Sequence, residues 1–116
     1  YGAKFKQFKP YDAPAVKVKD LNDNKIQVAT FFTTEAAIRD NGYVMLADPR
    51  SMILPQNVIP LVRADVATNT AAVDAINAGQ KALTTDELTD LNKQVDSGKE
   101  EPREAAAAWL KAKGLA

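Results

Sequence analysis

The sequence has no cysteine and no histidine. The first absence excludes disulfides and thiolate chemistry. The second removes the commonest general base and the commonest metal ligand. No apolar run approaches the ~20 residues that a membrane-crossing helix needs. No stretch has the layout of a secretory signal peptide either, so the chain is expected to start within a longer protein or to have been processed already. An excess of charge of one sign is also missing, since 15 Lys and Arg face 15 Asp and Glu. Zero formal net charge offers no field to nucleic acid or to an anionic membrane, and neither is expected as a partner. Aromatic residues make up only 7% of the chain, so each of them can be weighed singly.

What is present is an ordinary soluble composition, 46% hydrophobic and 26% charged over 116 residues. That is one domain's length, with a modest core at this size. The charge is uneven along the chain. Residues 1–25 hold six Lys against three Asp, and residues 84–104 hold seven acidic against three basic residues. Apolar residues interrupt both blocks, and solvated faces account for them.

The chain divides into two styles. Phe5 and Phe8 with interleaved Lys suggest a short strand or extended lead-in, and residues 15–22 a short helix. Ile26–Phe32, β-branched and aromatic, reads as a buried parallel strand. Thr33-Thr34-Glu35 offers hydroxyl caps for a helix through Ala36, Ala37 and Ile38, which Asn41-Gly42 ends in the left-handed conformation. Tyr43–Leu46 reads as a second strand, completing a β-α-β unit. Pro55 and Pro60 argue against a helix between them, and Leu61–Arg63 fits a strand leaving that region. From residue 65 onward the composition is helical, with three helices expected. Val66, Val73 and Ile76 mark the face of the first, before Gly79. Thr84–Glu87 is a capping box that opens the second, with Leu88, Leu91 and Val95 at helical spacing and Gly98 at its end. Pro102 starts the third, Ala105, Ala106, Trp109 and Leu110 form its buried stripe, and Gly114 stops it.

Several of these motifs occur in one order: Phe32-Thr-Thr-Glu35, Leu46-x-Asp-Pro49, Pro55-Gln-Asn-Val-Ile-Pro-Leu-Val-Arg63, Leu83-Thr-Thr-Asp-Glu-Leu88, Leu91-Asn-x-x-Val-Asp96, and Pro102-x-x-Ala105-x-x-x-Trp109-Leu110-x-x-x-Gly114-Leu115. Together they resemble the C-terminal part of the glycine betaine/choline/carnitine/proline-type substrate-binding proteins of ABC importers. The resemblance implies an α/β fold class: a fragment of a periplasmic-binding-protein-like (type II) bilobal fold, with a β-α-β portion followed by three C-terminal helices. Residues 1–56 would then be the C-terminal portion of the distal lobe, 57–64 the inter-lobe crossing strand and 65–116 the helical portion of the first lobe. The sheet of the first lobe and part of the second would lie outside this sequence.

The resemblance also implies a ligand and a place for it. A quaternary ammonium has no hydrogen-bond donors and is recognised by aromatic faces. One cage aromatic in this family tends to precede the Thr-acidic pair, and here that residue is Phe32; on the residues alone it would read as a core aromatic. Phe31, on the opposite face of the strand, reads as core. A second family aromatic sits between the Pro and the Asn of the crossing segment, where this chain has Gln56. Glutamine supplies no π face but donates and accepts hydrogen bonds, which points to a more polar or larger ligand. Thr33 and Thr34 act either as caps or, Thr33 especially, on the ligand. Asn57 either touches ligand or bonds across the hinge. Arg39, Arg50 and Arg63 are available anion partners that nothing places in the cleft, and Trp109 belongs to a core stripe.

The implied function is extracytoplasmic solute binding for ABC-type import of an osmoprotectant such as glycine betaine, choline or proline, by cleft closure. Its site residues are Phe32, Thr33, Thr34, Gln56 and Asn57. The implied partners are the small-molecule ligand and the importer's membrane subunit, with self-association of the fragment a further expectation. The implied location is the periplasm or a lipid anchor at the outer face of the membrane, and no cofactor or metal is called for. A competing reading is a small helical interaction or scaffold domain that presents the Leu88/Leu91/Val95 stripe to a partner. Catalysis has little support: Glu35, Asp40 and Asp48 lack an accompanying nucleophile-base pair or phosphate loop.

Overall fold

The computed structural model describes residues 1–116 and is built of helices and irregular segments. The helices are α1 (Pro14–Asn22), α2 (Ala37–Asp40), α3 (Ala64–Ala67), α4 (Thr70–Ala82), α5 (Thr85–Asp96) and α6 (Pro102–Ala112). They fall into two compact units, Tyr1–Phe31 and Phe32–Ala116.

The expected α/β class with its β-α-β portion is overturned, because the chain forms no strand. Ile26–Phe32, Tyr43–Leu46 and Leu61–Arg63 are irregular, as is the Phe5–Phe8 lead-in. The physical reason is non-local. A strand persists only when its backbone N–H and C=O groups find a ladder partner and one face is covered. Here no ladder partner forms and the coverage is poor: Val28 is 52%, Val44 86% and Leu61 96% exposed. The helix expected between the first two strands does form, as the single turn α2.

In the first unit, Pro14 occupies the first turn of α1, where its missing N–H and fixed φ cost nothing. Asn24 takes a left-handed φ of 56° after the helix. The Asn24 and Lys25 amides then donate back to the carbonyls of Leu21 (3.2 Å) and Asp20 (2.8 Å), the paired bonds of a Schellman ending. The best-buried residue of this unit is a carboxylate, Asp20. It accepts hydrogen bonds from the Lys9 ammonium, from the Tyr11 hydroxyl at 2.9 Å and from the Lys25 ammonium at 3.3 Å. Polar convergence on one acid thus ties the lead-in segment to α1, while Phe5 and Phe8 stay exposed.

The Lys9 ammonium first, and the Tyr11 hydroxyl next, hold the Asp20 carboxyl down at about 2. A carboxyl depressed in the folded state stabilises the fold fully above its ordinary value of 3.8, and that contribution is lost as pH falls toward 2. A carboxyl-carbon NMR titration of the native chain is expected to place the Asp20 midpoint near 2, whereas a midpoint near 3.8 would refute the hub. In Asp20→Asn, the Tyr11 ring signals at neutral pH are expected to move toward those of a free peptide.

The second unit is organised around α5. Asn69 caps α4 by accepting from the Ala72 amide at 3.2 Å, and Thr84 caps α5 by accepting from the Glu87 amide at 3.2 Å. Gly79 does not end the α4 helix, which runs through to Ala82. The first expected helix is divided instead, because Thr68 and Asn69 separate α3 from α4. The last helix follows its signals, with Pro102 at the start. It closes at Gly114, where a φ of +69° lets the Gly114 and Leu115 amides reach the Lys111 and Leu110 carbonyls. α5 and α6 pack together. Ala105 on α6 is 2% exposed and Thr89 on α5 is 5% exposed. The buried Thr89 hydroxyl is satisfied by donating to the Thr85 carbonyl at 2.8 Å. α5 is also tied to the α2 region by Arg39–Asp90 and Lys93–Asp40 ion pairs at 2.5 and 2.6 Å.

Candidate functional site

The residues expected to bind ligand begin with a tight turn. The Glu35 amide donates to the Phe32 carbonyl at 3.0 Å, and the Phe32 amide donates to the Glu35 carboxylate at 2.8 Å. These reciprocal bonds make Phe32–Glu35 a closed β-turn with Thr33 and Thr34 at its centre. The two threonines therefore do not cap α2; its first flanking residue is Ala36, with no side-chain cap. The turn is anchored from below, since the Asn92 side chain on α5 donates to the Thr34 carbonyl at 3.3 Å. Thr34 is half-buried, Thr33 is exposed and the Phe32 ring is 66% exposed.

The geometry of this turn is that of a presented aromatic. The Phe32 and Glu35 amides are bonded within it, and Phe32 and Thr33 are exposed. Such an arrangement can place a π face and a hydroxyl against a cationic, oxygen-bearing small molecule.

Gln56 and Asn57 stand apart from it. Both are exposed, in the irregular stretch between α2 and α3, and no hydrogen bond joins either to Phe32, Thr33 or Thr34. Gln80 of α4 reaches that stretch, its side chain donating to the Val58 carbonyl at 2.8 Å. Around it, Met52, Ile53, Leu54, Val58, Ile59 and Leu61 are all exposed. Of the candidate anion partners, Arg63 forms a two-bond pair with Asp65 (3.0 and 2.9 Å), and Arg39 is committed to Asp90. A depression of about 260 Å³ on α5 is lined by Asp90, Lys93, Gln94, Ser97 and Lys99. It has no aromatic wall and includes none of the expected site residues.

Two arrangements were not legible in the sequence. In the first unit the Lys17 ammonium lies 3.9 Å from the centre of the Phe31 ring and donates to the Thr30 carbonyl at 2.8 Å. Phe31, read as core, is half-buried with a cation on its face. In the second unit the Glu87 carboxylate accepts from the Trp109 indole N–H at 2.6 Å and from the Lys113 ammonium at 2.5 Å. Glu87 therefore serves α6 instead of completing the capping box. Both arrangements join residues 13 or more apart, and no local spacing rule announces them.

No helix is long and apolar enough to cross a membrane. No curated protein and no solved structure matches the chain. Residues 1–112 do match one family, described as the substrate binding domain of ABC-type glycine betaine transport systems. Its members are extracytoplasmic proteins that bind substrate for an importer, and they are not enzymes. With nearly its whole length matched in this way, the chain belongs to the family of substrate-binding domains of ABC-type glycine betaine transport systems.

Proposed function

We propose that this chain contributes the C-terminal part of a binding protein that captures glycine betaine, or a related osmoprotectant such as choline or proline, by closing a cleft between two lobes. The observation that carries the reading is the family match over residues 1–112. In this reading residues 1–56 belong to the distal lobe, 57–64 cross between lobes and 65–116 belong to the first lobe. Phe32 offers its ring to the trimethylammonium group, and Thr33 and Thr34 supply polar contacts beside it. Gln56 and Asn57 approach from the crossing segment when the cleft closes. The loaded protein docks on the membrane subunit of the importer from outside, free or held by a lipid anchor.

Gln56 sets the ligand preference. It replaces a π face with an amide, which favours ligands carrying hydroxyls or carboxylates over choline-like cations with little else to bond. The test is calorimetry of the full-length binding protein against glycine betaine, choline, proline and a polyhydroxylated aromatic. Saturable binding of at least one is expected. Gln56→Tyr is expected to tighten choline by about tenfold, the value of one added aromatic wall. No binding of any of the four would overturn the transport reading, and an unchanged choline affinity in Gln56→Tyr would remove residue 56 from the site.

A further inference from the structure

We infer that the ring face of Phe31 is a second cation site, occupied in the free chain by Lys17, and that a quaternary ammonium displaces Lys17 from it. The inference rests on the proposal that the chain takes a quaternary ammonium, but on residues that the proposal does not use.

Two electron-rich features converge on one small volume. The Phe31 ring presents its face, with the Lys17 nitrogen 3.9 Å from its centre, well inside the ~6 Å over which a ring quadrupole attracts a cation. The Thr30 carbonyl oxygen lies 2.8 Å from the same nitrogen. An ammonium satisfies both at once, by its charge over the ring and one N–H to the carbonyl. A tetraalkylammonium has no N–H, but its polarised methyl groups pack on a π face and against a carbonyl oxygen in the same way.

The position of Lys17 makes it a competitor. It stands in the middle of α1, a helix fixed at one end by Pro14 and at the other by the Asn24 ending. The side chain is therefore tethered beside the ring at high effective concentration, and a free cation has to displace an intramolecular one. Displacement breaks the two contacts that Lys17 makes with residues 30 and 31. Removing the charge of Lys17 while keeping its bulk takes the competing cation off the ring and leaves a neutral side chain that a ligand displaces more easily. Lys17→Met does this and leaves both Thr30 and Phe31 in place.

The experiment is an NMR titration of the 116-residue chain with tetramethylammonium chloride, with sodium chloride at matched ionic strength as control. The wild type, Lys17→Met and Phe31→Leu are compared, with glycine betaine and Phe32→Ala as a second arm. Tetramethylammonium is expected to shift the Phe31 ring signals in the wild type and to bind Lys17→Met about three- to tenfold more tightly. In Phe31→Leu the response is expected to disappear. Unmoved Phe31 ring signals, or equal affinity in the wild type and Lys17→Met, would overturn the inference. Glycine betaine binding that is lost in Phe32→Ala but kept in Phe31→Leu would overturn it and leave the transport reading standing. The absence of any response to tetramethylammonium in every variant would overturn the inference, while the transport reading is tested separately by calorimetry of the full-length protein.

Discussion

Phe32→Ala is expected to weaken glycine betaine binding at least tenfold in the full-length binding protein, without a loss of folded protein. The two halves of this expectation have separate causes. A cation over an aromatic face contributes about 0.5–2 kcal/mol, depending on how far water is excluded, and 1.4 kcal/mol is a factor of ten in affinity. In the proposed reading, closure of a cleft over the ring would move the contact toward the upper end. The fold half follows from exposure: the ring is 66% exposed and supports no core, and surface changes of that kind usually stay within about 0.5 kcal/mol. The turn beneath it is held by backbone and Glu35 contacts that alanine retains. Calorimetry on three substitutions separates the mechanisms. Phe32→Tyr keeps the π face and is expected to stay near wild type. Phe32→Leu keeps apolar bulk without a quadrupole and is expected to lose most of the affinity. Should leucine bind as well as phenylalanine, the contact is hydrophobic packing and not cation recognition. Should alanine bind as well, Phe32 is outside the site.

How far the fold was legible depends on the range of the signals. α5 and α6 were readable because their ends are local chemistry: Thr84, Gly98, Pro102 and Gly114 each act within four residues of themselves. Asn69 was readable in principle as an N-cap ahead of an alanine-rich run, and α4 runs past Gly79 because a mid-helix glycine weakens a helix without having to end it. The strands failed for a different reason. Ile26–Phe32 has the composition of a strand, but composition does not supply a neighbour, and pairing depends on residues far away in sequence or outside it. The candidate site was legible in the same uneven way. Phe32, Thr33 and Thr34 share one turn because they are consecutive, whereas bringing Gln56 and Asn57 to them requires a tertiary arrangement that no spacing announces.

Glu87 shows how a local rule can be right in outline and wrong in its second half, and it leads to the largest expected change in stability. The capping box predicts that Thr84 accepts from the Glu87 amide, which it does at 3.2 Å. It also predicts that the Glu87 carboxylate returns to the Thr84 amide, but Trp109 and Lys113 of α6 take that carboxylate instead. The indole N–H is half-buried and needs an acceptor, and a carboxylate is a stronger one than water. Trp109→Ala therefore removes both the ring that α6 lays against α5 and the donor that orients Glu87. Its cost is expected to be about 2–3 kcal/mol, below the range for a fully buried tryptophan because the ring is only partly covered. For a chain of this size that lowers the melting temperature by roughly 10 °C or more. Trp109→Phe keeps most of the area without the N–H and should fall between the two; a melting temperature in Trp109→Ala within a degree of wild type would show that α6 is not held through this residue. Acid provides an independent readout, since Trp109 is the single tryptophan of the chain and its fluorescence reports this contact. The Lys113 ammonium first, and the Trp109 indole next, hold the Glu87 carboxyl below its ordinary value of 4.5. The contribution is thus complete above pH 4.5 and lost as pH falls through the depressed value, so the tryptophan emission should hold constant down to about pH 4.5 and change below it. In Glu87→Gln, which accepts from the indole but carries no charge for Lys113, the acid step should vanish. An acid step of the same midpoint in Glu87→Gln would assign the transition to another carboxylate.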